Sequence, residues 1–255
     1  MEHETGHIIN VAHFEILISR ATGFSTAYNP SNPLIKLIGL NSTLTNSQNS
    51  LLKVDNKLIA DKNNIDARDI IFSPVSKLTT RIYNALASCG TTPQIIADAK
   101  TFTRKLQGKR AVPIKPITPT PTIEATITPT PVPTPPLPEP VHHSASQMSF
   151  DNRIENFQKL ILLLISEPLY NPNEADLTIT ALNTYLASMR AANSAVISST
   201  TDLKNARISR NKILYAPITG LFNLQIEVKN YVKSIFGASS DEFKEVSKIK
   251  FRDNK

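Results

Sequence analysis

Residues 34–72 read LIKLIGLNSTLTNSQNSLLKVDNKLIADKNNIDARDIIF, and the apolar residues of this stretch recur at intervals of seven. The recurring positions are Leu37, Leu44, Leu51, Leu58, Ile65 and Phe72, with Ile38, Leu52 and Ile59 beside them. A seven-residue repeat puts apolar side chains on one helix face and favours left-handed, coiled-coil-like packing. Because no proline interrupts the stretch, we predict one helix of about 40 residues, with a break near Asn63-Asn64 as the alternative.

Residues 173–215 carry the same kind of pattern and predict a second long helix, with a break near 198–201 as the alternative. Its apolar positions are Leu182, Tyr185, Met189, Ala192, Val196, Leu203, Ala206 and Ile213. A first helix is predicted before each long one, over about 7–21 and 150–167. Pro74 and Pro217 suit the first turn of a third helix that ends at Gly90 or Gly237, and a short last helix follows. No segment alternates at period two for long, so the predicted fold class is all-α, with two related helical bundles.

Four short motifs recur in the same order in both halves of the chain, which predicts a tandem duplication. Tyr28-Asn29-Pro30 matches 170–172, and the stretch 40–44 (LNSTL) matches 182–186 (LNTYL). The stretch 70–74 matches 213–217, and Gly90-Thr91-Thr92 corresponds to 237–239. The offset between matched residues grows from 142 to 147 along the chain, as small insertions would produce.

A proline-rich stretch separates the two predicted copies. Eleven of the 18 prolines lie in residues 113–140, PIKPITPTPTIEATITPTPVPTPPLPEP. Proline removes backbone donors and fixes φ, so the stretch is predicted to be an extended, semi-rigid spacer in the polyproline II manner. A PxxP ligand for an aromatic groove is the alternative. The predicted division is therefore a bundle at 1–111, a linker at 112–145 and a second bundle at 146–255.

The composition excludes several kinds of catalytic and metal site. The chain has 7 glycines and no glycine-rich phosphate loop, and its one cysteine, Cys89, excludes Cys-based zinc sites and internal disulfides. The 5 histidines lie at the N-terminus or in the linker, away from Cys89. We therefore predict a non-enzymatic protein with no catalytic residues, no metal site and no cofactor.

Two basic clusters near the ends of the predicted bundles account for much of the net charge of +7. The first comprises Lys100, Arg104, Lys105, Lys109 and Arg110, and the second Lys244, Lys248, Lys250 and Arg252. Such clusters can contact phosphates or an acidic partner, yet cations also stabilise helix C-termini. No aromatic interleaving or known nucleic-acid motif accompanies them, so nucleic-acid binding is the second hypothesis.

A polar cluster at the end of the second long helix is a candidate partner-binding site. It consists of Arg207, Arg210, Asn211 and Tyr215, and the first copy repeats it only in part. Tyr28, Tyr170 and the Phe72/Tyr215 pair recur between the copies, and we interpret them as core residues beside proline turns. A binding pocket lined by these aromatic residues is the alternative interpretation.

The N-terminal segment MEHETGHIINVAHFEILISR carries acidic residues where a secretory signal requires basic ones. The longest apolar run, 160–165 (LILLLI), is far shorter than the roughly 20 residues needed to span a bilayer, and we expect a core on all its sides. We expect a cytoplasmic protein, with export by another route as the alternative. A membrane-active helical protein is the third hypothesis.

Residues 206–251 resemble a family of uncharacterised bacterial helical-bundle proteins with no assigned function. The resemblance lies in Arg210-Asn211, Leu214-Tyr215, Gly220-Leu221 and the run 228–240 (VKNYVKSIFGASS). It implies a bacterial setting and an all-α unit, and it implies no activity. The first half of the chain departs from this pattern at Phe72 and at 89–91.

These observations together predict a bivalent interaction or scaffold protein that binds a protein partner, or itself, through helix faces. A tether between two modest sites raises the effective concentration of the second site once the first is bound.

Overall fold

The structure, a computed structural model, describes residues 4–109 and 148–252. These residues form the α-helices α1 (Glu4–Gly23), α2 (Leu37–Phe72), α3 (Val75–Ser88), α4 (Pro93–Leu106), α5 (Phe150–Ile165), α6 (Ile179–Tyr215), α7 (Leu221–Phe236) and α8 (Asp241–Ser247). Short 3-10 helices lie at Ser25–Ala27, Pro33–Ile35 and Ala175–Leu177. The described ranges contain no β-strand, so the predicted all-α class is confirmed. The proline-rich segment falls outside these ranges.

The long helices α2 and α6 run without the breaks considered near residues 63–64 and 198–201. Each buries one face at intervals of three or four residues, as the seven-residue pattern predicts. The buried residues of α6 are Leu182, Leu186, Met189, Asn193, Val196, Ser199, Leu203, Ala206, Arg210 and Leu214. The face is thus only partly apolar, and its polar members need partners inside the protein.

The chain forms two compact units. Unit 1 comprises Met1–Arg68 and Ser194–Lys255, and unit 2 comprises Asp69–Asn193. This grouping differs from the predicted division into 1–111 and 146–255, because each boundary between the units falls inside a long helix. Each unit therefore combines residues that precede the proline-rich segment with residues that follow it.

The core of unit 1 joins the N-terminal helix to the last two helices. Phe14, Leu17 and Ile18 of α1 are buried together with residues of α7, among them Leu224 and Val228. The C-terminal residues pack on these helices: the side-chain amide of Asn10 donates to the Arg252 carbonyl at 2.7 Å and its oxygen accepts the Arg252 N–H at 2.8 Å. The N-terminal and C-terminal ends of the described chain thus belong to one core.

Within unit 1, α2 and α6 run antiparallel. Val54 packs with Leu203 and Ala206, while the Asp61 carboxylate, seven residues further on, accepts the hydroxyls of Ser199 and Thr200 at 2.8 Å each. Buried carboxylates require such partners because burial without them costs several kcal/mol, of the order of 2–7 for a polar group.

The core of unit 2 joins α3 and α4 to α5 and the start of α6. Leu160, Ile161 and Leu164 are buried here with Ile82 and Leu86. The expectation that the run 160–165 has a core on all sides is wrong, because Leu162 and Ile165 are 55% and 54% exposed. A helix in this position buries one face only. None of the described helices combines the length and the apolar character needed to cross a membrane.

The described residues that flank the proline-rich segment are neighbours in unit 2. A Cβ added to Gly108, just after α4, would lie 2.9 Å from the Met148 sulfur, just before α5. The chain therefore leaves unit 2 and returns to it at adjacent points. This arrangement differs from a tether joining two separate bundles.

The third helix of the second half starts later than predicted, at Leu221 and not at Pro217. The Gly220 N–H donates to the Ala216 carbonyl at 3.0 Å, and a Cβ at residue 220 would lie 2.5 Å from the Ala216 nitrogen. This tight turn requires glycine and delays the helix by one turn. The predicted caps are confirmed elsewhere: Ser240 caps α8, and Gly90 and Gly237 have φ of +84° and +89°.

Candidate functional site

A cleft of about 730 Å³ opens in unit 2 between α3 and the segment that joins α5 to α6. Its lining residues are Arg81, Asn84, Ala85, Ser88, Cys89, Leu169, Tyr170, Asn171, Pro172, Asn173, Glu174 and Leu177. The volume lies within the roughly 300–1,000 Å³ typical of ligand sites. α3 precedes the proline-rich segment and the Leu169–Leu177 wall follows it, so both halves of the chain build the cleft.

Tyr170 is the buried anchor of the cleft. Its hydroxyl donates to the Leu177 carbonyl at 2.9 Å, which closes the loop between α5 and α6 over a buried ring. Burial, with smaller contributions from Cys89, Glu174 and Asp176, raises the pKa of Tyr170 to about 12. The neutral hydroxyl therefore holds the loop in shape across the physiological pH range.

The Glu167 carboxylate fixes the start of the same loop. It accepts the Thr91 hydroxyl at 2.5 Å and the Leu169 N–H at 3.1 Å. These hydrogen bonds hold the pKa of Glu167 below its usual value. Because Thr91 lies between α3 and α4, this carboxylate connects both walls of the cleft.

The rim of the cleft carries an ion pair between Arg81 of α3 and Asp176. The guanidinium donates to both carboxylate oxygens, with a distance of 3.0 Å from Nη2 to Oδ1. The hydrogen bond from Arg81 holds the pKa of Asp176 below its ordinary value. Both side chains are more than half exposed, so the pair orients the rim and adds little stability.

The remaining polar groups of the helix wall are engaged in local hydrogen bonds. The Ser88 hydroxyl donates to the Ala85 carbonyl at 2.9 Å, and the Cys89 thiol donates to the Leu86 carbonyl at 3.0 Å. Ala85 itself contributes only a methyl group, so the helix surface facing Tyr170 is low at this position.

Unit 1 contains a loop built in the same way around Tyr28. The Tyr28 hydroxyl donates to the Ile35 carbonyl at 2.7 Å, again seven residues along the chain, and burial raises its pKa. Here the Tyr231 ring of α7 covers the loop, edge to face with Tyr28 at 5.3 Å between centroids. The Tyr231 hydroxyl accepts the Asn29 N–H at 3.2 Å, and Asn32 donates to Glu227 at 2.8 Å.

The buried residues of the two covering helices fall in one register. On α3 they are Val75, Thr79, Ile82 and Leu86, and on α7 they include Leu221, Gln225, Val228 and Val232. The intervals are the same, so Ala85 holds on α3 the place that Tyr231 holds on α7. The missing ring at residue 85 leaves the cleft of unit 2 open.

The predicted polar cluster lies inside unit 1. Arg210 is fully buried, and its Nε and Nη2 donate to the Asn211 side-chain oxygen at 3.1 and 2.9 Å. The buried Tyr215 hydroxyl lies 2.8 Å from His7 Nδ1 and accepts the Asn10 amide at 3.1 Å. Arg207 is half-buried. A surface partner cannot reach Arg210 or Tyr215 in this arrangement.

The second basic cluster, on and after α8, is largely engaged within unit 1. Lys244 pairs with Asp241 and Lys248 with Glu245, each at 3.0 Å. The Lys250 carbonyl lies 2.5 Å from His13 Nδ1, and the backbone of Arg252 is bound by Asn10.

The first basic cluster lies on and after α4 in unit 2. Lys100 and Lys109 are exposed, whereas Arg104 and Lys105 are half-buried. Arg110 lies outside the described residues. The two clusters thus differ: the first has exposed lysines, and two lysines of the second are neutralised by acids of their own helix.

Sequence reasoning identified Tyr28 and Tyr170 but not the residues that make their surroundings different. The interpretation as core and the alternative of a pocket each describe one side of Tyr170, which is buried and also lines the cleft. Arg81, Asp176 and Ala85 carry no motif. A register comparison of the two third helices could have found Ala85, but the late start of α7 hides that register.

Comparisons of the chain with protein families, with curated proteins and with solved structures find no match. Among the described residues, no group of three His, Cys, Asp or Glu side chains is placed to hold a metal ion.

Proposed function

We propose that this chain is a non-catalytic interaction protein that binds a protein partner through the cleft of unit 2. The observation that carries the proposal is the difference between two similar loops: Tyr231 covers the Tyr28 loop, and nothing comparable covers the Tyr170 loop. A loop held rigid by internal hydrogen bonds loses little conformational entropy on binding, which favours recognition.

The chemistry of the cleft supports binding over catalysis. Its ionisable groups are held in structural roles: Arg81 in an ion pair with Asp176, and Tyr170 as a donor to the Leu177 carbonyl. The Cys89 thiol donates to a carbonyl and lies at the C-terminus of α3, where the helix dipole disfavours a thiolate.

The proposal includes a tandem duplication of one helical unit on either side of the proline-rich segment. The equivalent hydroxyl–carbonyl bonds of Tyr28 and Tyr170 support it, as do the positive φ angles of Gly90 and Gly237. The common register of α3 and α7 supports it as well. Duplication with later divergence explains why one loop is covered and the other open.

The proposal modifies how the two copies cooperate. A scaffold of two independent tethered binders requires each half to fold alone, yet each compact unit draws on both halves. We place the partner contact in unit 2, where both halves line the cleft. Self-association through helix faces is the alternative within the same class of function.

The test is a phage-displayed random-peptide selection on the full chain and on the variant Ala85→Tyr, which puts a ring where unit 1 has Tyr231. We expect peptides that bind the natural chain and lose about tenfold or more in affinity for Ala85→Tyr. Ala85→Ser, which keeps the position small, serves as the matched control and should retain binding. Peptide binding that Ala85→Tyr leaves unchanged would contradict the proposal.

Size exclusion with absorbance at two wavelengths tests the nucleic-acid hypothesis on the same preparations. Lys244 and Lys248 are already paired with acids, so we expect no nucleic acid to copurify. Bound nucleic acid that is lost in high salt would favour the basic clusters over the cleft.

A further inference from the structure

We infer that the cleft of unit 2 recognises the phenol ring of a tyrosine side chain in its partner. The inference rests on the proposed function and names the group that the cleft binds. It takes the occupied loop of unit 1 as the guide to the open loop of unit 2.

Unit 1 contains the bound form of this recognition within one chain. The Tyr231 ring meets Tyr28 at 87°, the edge-to-face geometry that aromatic pairs prefer. Its hydroxyl accepts the backbone N–H of Asn29, the residue after Tyr28. A phenol thus makes one apolar and one polar contact with the loop.

Unit 2 has the same groups without the ring. Tyr170 takes the place of Tyr28, and Asn171 that of Asn29. The Asn171 N–H instead turns back to the Leu169 carbonyl, two residues earlier, at 3.0 Å. Such a two-residue contact is a γ-turn, with a more bent hydrogen bond than a phenol oxygen in front of the N–H could accept.

The space and the rim fit a ring carried on a peptide. Ala85 leaves room above Tyr170, and the cleft of about 730 Å³ is large enough for a ring with its neighbouring residues. Asn84, Asn173 and the Arg81–Asp176 pair supply donors and acceptors around the opening. Groups of this kind can hydrogen-bond a peptide backbone.

The test titrates the full chain with N-acetyl-tyrosinamide and with its phenylalanine and leucine analogues, followed by amide NMR shifts. We expect the tyrosine compound to bind about twofold to tenfold more tightly than the phenylalanine one, because only the first offers a phenol oxygen to Asn171. The leucine compound should bind about threefold to tenfold more weakly than the phenylalanine one. Equal affinities for all three would overturn the inference.

Two readouts keep the result independent of how a variant folds. In the natural chain the shifted amides should include Asn171 and Ser88; shifts confined to other residues would overturn the inference. Ala85→Tyr should reduce tyrosinamide affinity about tenfold, while Ala85→Ser should not. A further arm uses p-cresol: binding as tight as that of the amide would assign recognition to the free ring and overturn a peptide-borne source.

The peptide selection separates this inference from the proposed function. Peptides sensitive to Ala85→Tyr and enriched in tyrosine support both. Sensitive peptides without aromatic enrichment keep the protein-binding function and overturn the tyrosine inference. Peptides that bind without sensitivity to Ala85→Tyr contradict the function itself.

Discussion

The loops at Tyr28 and Tyr170 show how one side chain can separate a structural element from a candidate binding site. Both close through a tyrosine hydroxyl and a carbonyl seven residues away. In unit 1 the helix opposite contributes Tyr231, and the loop belongs to the packed interior. In unit 2 the same helical position is Ala85, and a cleft of about 730 Å³ results. The backbone is shared, and the difference lies in the volume of one residue.

The largest effect should come from dividing the chain, because both loops depend on elements from both halves. Residues 1–111 contain α3 but lack the Tyr170 loop, and residues 146–255 contain α7 but lack the Tyr28 loop. We expect neither fragment alone to show a cooperative thermal transition by circular dichroism, since each leaves half of two cores exposed.

A mixture of the two fragments provides the control. It should recover helicity and a cooperative transition, and the fragments should coelute in size exclusion. Two fragments that each melt cooperatively and elute separately would contradict the composite units and restore two independent bundles.

The composite pairing illustrates what sequence cannot decide. The seven-residue spacing correctly predicted α2 as one helix, because a helix seam is a local property of 37–72. Which seam packs on which is not local: two similar copies offer equivalent surfaces within a copy and between copies, as in domain swapping. Only the summed packing of the residues that differ selects one pairing.

The cleft was less predictable than the helices for a related reason. Tyr170 carries a visible motif with Asn171 and Pro172, but a cleft is defined by what is absent opposite it. An alanine such as Ala85 is common on any helix, and its meaning appears only when α3 faces the loop. The buried position of Arg210 likewise depends on contacts that a cluster of polar letters does not indicate.

The next effect in size should come from opening the covered loop with Tyr231→Ala. The ring is half-buried and pairs with Tyr28, so its removal should cost about 1–3 kcal/mol of stability in urea unfolding. The variant should also gain a second site for N-acetyl-tyrosinamide, which shifts the Asn29 amide.

Tyr231→Phe is the matched control for this variant. It keeps the ring and loses only the hydroxyl that accepts the Asn29 N–H, so it should cost about 0.5–1.5 kcal/mol and open no second site. If Tyr231→Ala is stable and folded but binds no additional tyrosinamide, the two loops are not equivalent as binding surfaces.

The smallest effect concerns the hydroxyls that both loops share, and it is expected in a defined pH range. Tyr170→Phe removes the donor to the buried Leu177 carbonyl and should cost about 0.5–1.5 kcal/mol at neutral pH. Burial raises the pKa of Tyr170 from 10.0 to about 12 in the folded protein. Between these values the unfolded chain releases the proton and the folded chain keeps it, so stability falls as pH rises.

The stability advantage of the natural chain over Tyr170→Phe should therefore narrow as pH rises above about 10, by up to about 1.4 kcal/mol per pH unit. Reversible urea unfolding at several pH values measures it, and Tyr28→Phe in unit 1 serves as the parallel variant. Because burial raises the pKa of Tyr28 as well, its advantage should narrow in the same direction. Narrowing in only one of the two variants would show that the loops differ in the tyrosine itself and not only in its covering residue.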